Sequence, residues 1–460
     1  MPYCRNPGSN QGPLDLQSNA LPTELFRHSN TLLILRLGGV RGVHYKFNDV
    51  FTCFVRDRAL EQISSRLKLT LLCTRLSAND SRCLINYANQ WLWQNPVWEV
   101  KTCESVEFKA GSSGPKVEQM TYIEYGENVT HFMRCLRLWI VPRLEQNRPP
   151  QQLDYMNLVP SELDSGGLFS MPKYETLHQV ISRYNSEVRF RPAPGRILAV
   201  ESQEMKAESI LSFDPDRSYW YESGSTQKHF LFVLRLFYEV GPCPLEEVGA
   251  ADFIPEEIEP MRCCSFPTFE NFSSMVAKAS KWCAEQTGVR FCNAQTLEIK
   301  YHPGRGIDTQ QLFYMETSQV STTYVRVLRV AYTKPVEVLA PGYMTEVPRL
   351  NLQCKTFVPV QLVRGSRNEF ETLTETKRRV EAWVRATGAR VLSCETPAAR
   401  LPWGKNLLDK LDSGSTVNAA ERTKSWIFLI RLFLDGFYQD PPPGEMPPIP
   451  PLREEECVML

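Results

Sequence analysis

The chain has 460 residues, 42% of them hydrophobic and 23% charged, with a formal net charge of zero. Such a composition belongs to a globular protein of about two to four domains, and the lack of net charge excludes long-range steering towards nucleic acid or an acidic membrane surface. The 14 cysteines are scattered without a CxxC pair, so they read as small buried apolar residues of a reducing, cytoplasmic protein, not as a disulfide framework.

Residues 1–30 are polar and aperiodic. The run Arg5-Asn-Pro-Gly-Ser-Asn-Gln-Gly-Pro-Leu-Asp-Leu-Gln-Ser-Asn-Ala-Leu-Pro-Thr-Glu-Leu-Phe-Arg27 resembles the translation of a dispersed repetitive genomic element, over residues 5–28 only. The resemblance implies a gene-model artefact, so disorder and no function are expected there. Residues 31–79 read as the remnant of a truncated unit. Leu32 to Leu37 surrounds Arg36 as a closing strand would, and Asp57 to Leu76 is expected to be helical.

Beyond this point the chain repeats. Arg137, Arg235, Arg329 and Arg431 each sit inside an apolar, strand-like run, at intervals of 98, 94 and 102 residues. A period of this length fits a small domain better than a solenoid repeat. Four units are expected, at 80–143, 169–241, 265–333 and 366–438. Each opens with an amphipathic helix, as in Phe269, Phe272, Val276, Ala279 and Trp282, or Tyr174, Leu177, Ile181 and Tyr184. Asn368 with Glu371 reads as a capping box ahead of the fourth helix. A strand follows, with Glu104, Glu201, Gln295 and Glu395 in one column and Ser105, Ser202, Thr296 and Thr396 in the next. An aromatic strand carrying Glu124, Glu222 or Glu316 comes third in the first three units, and the arginine strand closes the unit. The expected fold class is therefore α+β: tandem repeated modules, each an amphipathic helix packed on an antiparallel sheet of about three strands. The proline-rich linkers, including Val336 to Leu339 and Phe357 to Val360, are candidates for edge strands.

The arginine strands are apolar at both parities, so they should be central and buried. A buried guanidinium needs a partner. The expected pairs are Arg137 with Glu104, Arg235 with Glu201 and Arg431 with Glu395, with Glu124, Glu222 and Glu316 of the aromatic strands as second choices. Arg329, which has Gln295 in the first column, is expected to lean on Glu316. The pairs fix strand register in one reading and line an anion pocket in the other.

Residues 439–460 form a proline-rich tail. Pro448, Pro451 and Arg453 satisfy a PxxPxR pattern that resembles ligands of Src-homology-type grooves, although a plain spacer fits as well. The final residues, Cys457 to Leu460, resemble a prenylation box, which implies a lipid on Cys457. The acidic run Glu454 to Glu456 disfavours anionic lipid, and a single lipid anchors weakly.

No Walker loop, GxGxxG, HExxH or GxSxG motif is present, and the histidines share no metal-ligand spacing. No cofactor, metal or catalytic residue is expected. The expectation is a non-enzymatic interaction or scaffold protein with protein partners, such as a polyproline-reading domain, and a peripheral membrane contact. The alternative is a ligand-binding protein or enzyme with an Arg/Glu-lined cavity between helix and sheet.

Overall fold

The computed structural model describes residues 45–47, 50–53, 68–74, 80–111, 114–125, 130–145, 147–167, 171–207, 213–222, 227–262, 266–317, 322–336, 349–365, 368–401, 411–412, 414–418 and 423–454. The element-like run at residues 5–28, the strand expected at Leu32 to Leu37, the linker strand expected at Val336 to Leu339 beyond Val336, and Cys457 lie outside these residues.

The arginine strands are central, as their two-sided apolar pattern requires. They are Thr130–Pro142, Gln227–Val240, Thr322–Pro335, and Thr423–Phe428 with Ile430–Asp435. Each pairs antiparallel with an inner strand: Trp98–Gly111, Gly195–Ala207, Arg290–Lys300 and Arg390–Glu395 respectively. On its other side lies an outer strand drawn from the preceding linker: Lys68–Thr74, Leu153–Leu158, Glu246–Phe253 and Leu352–Phe357. The chain around each arginine strand is called a quarter below. In every quarter the inner strand carries a register shift three residues before the Glu/Gln column, between Val100 and Thr102, Ile197 and Ala199, Phe291 and Asn293, and Val391 and Ser393. A bulge of this kind bends and twists a strand.

The remaining short strands cross between quarters. Tyr219–Glu222 pairs with the first arginine strand, Phe313–Thr317 with the second and Ser415–Asn418 with the third. Thr121–Tyr125, from the first quarter, pairs with Thr423–Phe428 of the fourth. The exchange therefore closes on itself.

This corrects the expected fold class. The structure is mostly β, with four helices among the described residues, and it is not a row of self-contained helix-on-sheet modules. The aromatic strand that should have completed each module's own sheet completes its neighbour's instead. Strand pairing is decided by which edge is free and in register, and adjacency in sequence does not fix it. A second correction concerns Asp57 to Leu76: its Lys68–Thr74 portion is an outer strand, not helix.

The helices are α1 (Ser81–Gln94), α2 (Leu177–Glu187), α3 (Phe272–Glu285) and α4 (Leu373–Thr387). They begin where a side chain can cap them. Asp80 and Asn271 accept from the first turn, and Thr176–Gln179 and Thr372–Glu375 form capping boxes. The box is thus not Asn368 with Glu371. Tyr174, Phe269 and Phe370 fit the helical period but lie in short strands ahead of the helices. Each helix also donates its first backbone N–H to a loop of the next quarter: Ser81 to the carbonyl of Asp216, Leu177 to Gln310, Phe272 to Asp412 and Leu373 to Glu118, at 2.8–3.0 Å. Those bonds satisfy donors that a helix leaves open and tie the four quarters in the same closed order.

Two outer-strand edges are covered from the preceding helix. Asn89 donates to the Leu153 carbonyl and accepts its N–H, at 2.8 and 2.7 Å. Asn185 does the same for Val248, at 2.9 Å each way. An amide that reads both groups of one residue imitates a neighbouring strand and protects the edge. No helix among the described residues is long and apolar enough to cross a membrane.

Candidate functional site

The inner strands meet around a common axis, where the Glu/Gln column of each quarter faces the Ser/Thr column of the quarter before it. Glu201 accepts the Ser105 N–H at 2.6 Å. Gln295 accepts the Ser202 N–H at 2.8 Å and donates to its carbonyl at 3.1 Å. Glu395 accepts the N–H and hydroxyl of Thr296 at 2.7 and 2.5 Å. Glu104 accepts the N–H and hydroxyl of Thr396 at 2.6 and 2.7 Å, which completes the cycle, and also the Trp139 indole N–H at 2.9 Å. The two columns seen in the sequence therefore bind each other, one quarter to the next.

All four arginines lie opposite the expected column: Glu104↔Arg137, Glu201↔Arg235, Gln295↔Arg329 and Glu395↔Arg431. All are buried, at 1–4% exposure. Their partners differ. Arg431 meets Glu395 at 3.2 Å, donates to the Thr296 hydroxyl and lies 3.8 Å over the Phe272 ring. Arg137 donates to the Thr396 hydroxyl and stands 3.9 Å from Glu104. Arg235 is not joined to Glu201. It donates to the Asn157 side chain, the Pro215 carbonyl and the Ser81 hydroxyl, and its nearest carboxylate is Asp216 at 3.9 Å.

Arg329 is not paired with Glu316. It grips Asp252 of the outer strand through two bonds of 2.7 Å and donates to the Ser202 hydroxyl at 2.7 Å. Glu316 lies on a crossing strand, opposite Lys228 of the second quarter. Glu124 is likewise opposite Lys424, and Glu222 opposite Thr130. Strand exchange carries these carboxylates away from the arginines of their own quarters. The compensating charge thus moves from the inner strand in the first and fourth quarters to the outer strand in the third, where the inner position is a neutral glutamine.

Burial raises two carboxyls of the column. The Glu201 carboxyl is pushed up to about 7, first by desolvation, with the Ser105 N–H and the Arg235 charge working against it. Its second oxygen has no hydrogen-bond partner. Glu104 is also raised by desolvation, opposed by Arg137 and the Thr396 and Trp139 bonds.

Of the buried arginines that escaped the sequence reading, two share a repeat position. Arg134 and Arg326 lie three residues before the repeated arginine, and each meets a carboxylate of its own inner strand: Arg134 with Glu107, and Arg326 with Glu298 at 3.3 Å. The second and fourth quarters hold Phe232 and Phe428 at this position. The alternation was visible in the sequence once the strands were aligned on the repeated arginine. Asp252, in contrast, carries no sequence signal that ties it to Arg329.

Among the described cysteines seven are free thiols and Cys135 is disulfide-bonded, so apolar filling describes most of them but not all. The tail does not hang free over its described length. Asp440 bonds Lys355 at 2.6 Å and the Trp383 indole at 2.7 Å, Met446 packs on the core, and Arg453–Glu454 forms a short parallel strand with Val363 and Arg364. Pro448, Pro451 and Arg453 are exposed. No family model matches the chain, and no curated protein or solved structure was found similar to it.

Proposed function

We propose that this protein is a non-enzymatic interaction scaffold. The observation that carries the reading is that protein groups engage all four repeated arginines: Thr396 and Glu104, Asn157 and Pro215, Asp252 and Ser202, Glu395 and Thr296, although the Nε of Arg137 and of Arg431 has no partner. A guanidinium spent on register is not offered to a substrate, so the column reads as the lock of a rigid body. The tail supplies the contact. Pro448, Pro451 and Arg453 are exposed on a segment anchored on either side, by Met446 and by the strand at Arg453. The partner chemistry is an aromatic groove with an acidic patch, as polyproline-reading domains present. A cytoplasmic setting, with peripheral membrane contact through a lipid on Cys457, belongs to the same reading.

The test is titration of the full chain against a panel of purified Src-homology-type domains. Saturable binding that Arg453→Glu and Pro448→Ala/Pro451→Ala both abolish supports the reading. No binding, or binding indifferent to those changes, refutes the tail contact. Intact-mass measurement from a eukaryotic host checks the lipid: an untrimmed terminus with unmodified Cys457 removes that part.

A further inference from the structure

A short hairpin precedes each of the last three helices. The strand pairs are Glu162–Asp164 with Lys173–Tyr174, Glu257–Glu259 with Thr268–Phe269, and Gln361–Arg364 with Glu369–Phe370. Their registers align residue for residue. Glu162, Glu257 and Gln361 lie opposite Tyr174, Phe269 and Phe370, while Asp164, Glu259 and Val363 lie opposite Lys173, Thr268 and Glu369. Leu163, Ile258 and Leu362 fall at the register shift between them.

One of these hairpins has a further strand. The tail's Arg453–Glu454 adds in parallel to the edge at Gln361–Arg364, with Arg453 opposite Val363 and Glu454 opposite Arg364. The Arg364 guanidinium stands 3.8 Å from the Glu454 carboxylate. Among the described residues the other two hairpins stay two-stranded, so the equivalent edges are open to strand addition. The middle residues register the difference. Leu163 and Ile258 are 60% and 64% exposed, whereas Leu362 is half-buried.

The edges also differ in charge. At the place of Val363, which faces the tail's Arg453, the open hairpins hold Asp164 and Glu259. An arginine docked as Arg453 is docked therefore meets a carboxylate on either one. Asp164 already accepts the Gly166 N–H at 3.0 Å. Glu259 is exposed and has no hydrogen bond or ion pair among the described residues. Its neighbours are committed: Glu256 to Lys278 at 3.2 Å, and Glu257 to the Tyr301 hydroxyl at 3.3 Å. The chain's own tail suits this edge poorly, because Glu454 would exchange Arg364 for a run holding Glu256, Glu257 and Glu259.

We propose that the edge at Glu257–Glu259 docks an extended basic peptide of a protein partner, added in parallel with an arginine opposite Glu259. Backbone bonds hold such a strand, and the paired charges set its register and exclude acidic segments. Pro260, at the place of Arg364, brings no N–H to the edge, so the Glu259 pair carries more of the contact. A proline-rich lead like that of the tail keeps the peptide extended and lowers the cost of ordering it. The site is separate from the exposed prolines of the tail.

The experiment is fluorescence anisotropy on the full chain with the labelled peptide Pro-Pro-Ile-Pro-Pro-Leu-Arg-Lys-Lys-Lys, in which lysines replace the tail's three glutamates. It binds saturably, and the same peptide ending in Glu-Glu-Glu binds about tenfold more weakly. Glu259→Arg, an exposed change that leaves the melting temperature unaltered, weakens the basic peptide about tenfold. Replacing the peptide's arginine by glutamate restores binding to that variant. Absence of saturable binding overturns the proposal and leaves the glutamates as guards of a bare edge. Binding indifferent to Glu259→Arg, or a charge swap that restores nothing, overturns it equally.

Discussion

Glu104 and Thr396 are 292 residues apart in sequence, yet the Glu104 carboxylate accepts both the backbone N–H and the hydroxyl of Thr396, at 2.6 and 2.7 Å. That contact joins the last quarter to the first. The same Thr396 hydroxyl receives a bond from Arg137, so one side chain serves both charged groups. Thr396→Val keeps the shape and removes the hydroxyl. It should lower unfolding free energy by about 1–3 kcal/mol, read by urea denaturation; an unchanged midpoint would show that the junction carries no stability.

Among the four repeated arginines, Arg329 is the one that forms a two-bond ion pair, with Asp252. Arg329→Met should destabilise by about 3–5 kcal/mol, because it strands a buried carboxylate. Joint replacement of both residues by Met and Leu should restore much of that loss. The cycle with Glu316→Gln instead of the Asp252 change should show no coupling. The reverse result would return the pairing to Glu316.

Glu201 gives a pH signature. Burial pushes its carboxyl from the ordinary 4.5 up to about 7 in the folded protein. A raised carboxyl holds its proton in the folded state after the unfolded chain has lost it, so the folded state binds more protons across that window. Stability is therefore full below about 4.5 and falls as pH rises towards 7. Glu104 shifts in the same direction, so the readout is the difference between wild type and Glu201→Gln. The variant should lose less stability than wild type between those limits. Equal slopes would mean that Glu201 ionises normally.

Asn89 and Asn185 cover the edges at Leu153 and Val248. Asn89→Ala should cost about 1–3 kcal/mol by leaving a backbone N–H and carbonyl unpaired. Hydrogen exchange should show faster exchange at Leu153 with no change at Val248; uniform acceleration would mean global destabilisation alone.

The columns Glu104/Glu201/Gln295/Glu395 and Arg137/Arg235/Arg329/Arg431 are legible in the sequence because both belong to long strands with fixed two-residue alternation. Aligning them by period puts opposite residues opposite. The exchange of crossing strands is not legible: the pairing of Thr121–Tyr125 with Thr423–Phe428 joins segments about two thirds of the chain apart, and no local pattern distinguishes a strand's own sheet from its neighbour's. The same gap hid Asp252, whose outer strand comes from a linker, and misplaced Glu316. Helix starts were misread because Tyr174, Phe269 and Phe370 continue an apolar period past the true caps.

The central claim is that the quarters close through the pairing of Ile123 with Ser425. Cysteines placed at directly opposed strand positions are near enough to bond. Ile123→Cys/Ser425→Cys, oxidised at low protein concentration and mapped by peptide mass spectrometry, should give an intramolecular 123–425 disulfide in monomeric protein. Failure of that link to form within one chain, while each single variant folds, would contradict closure.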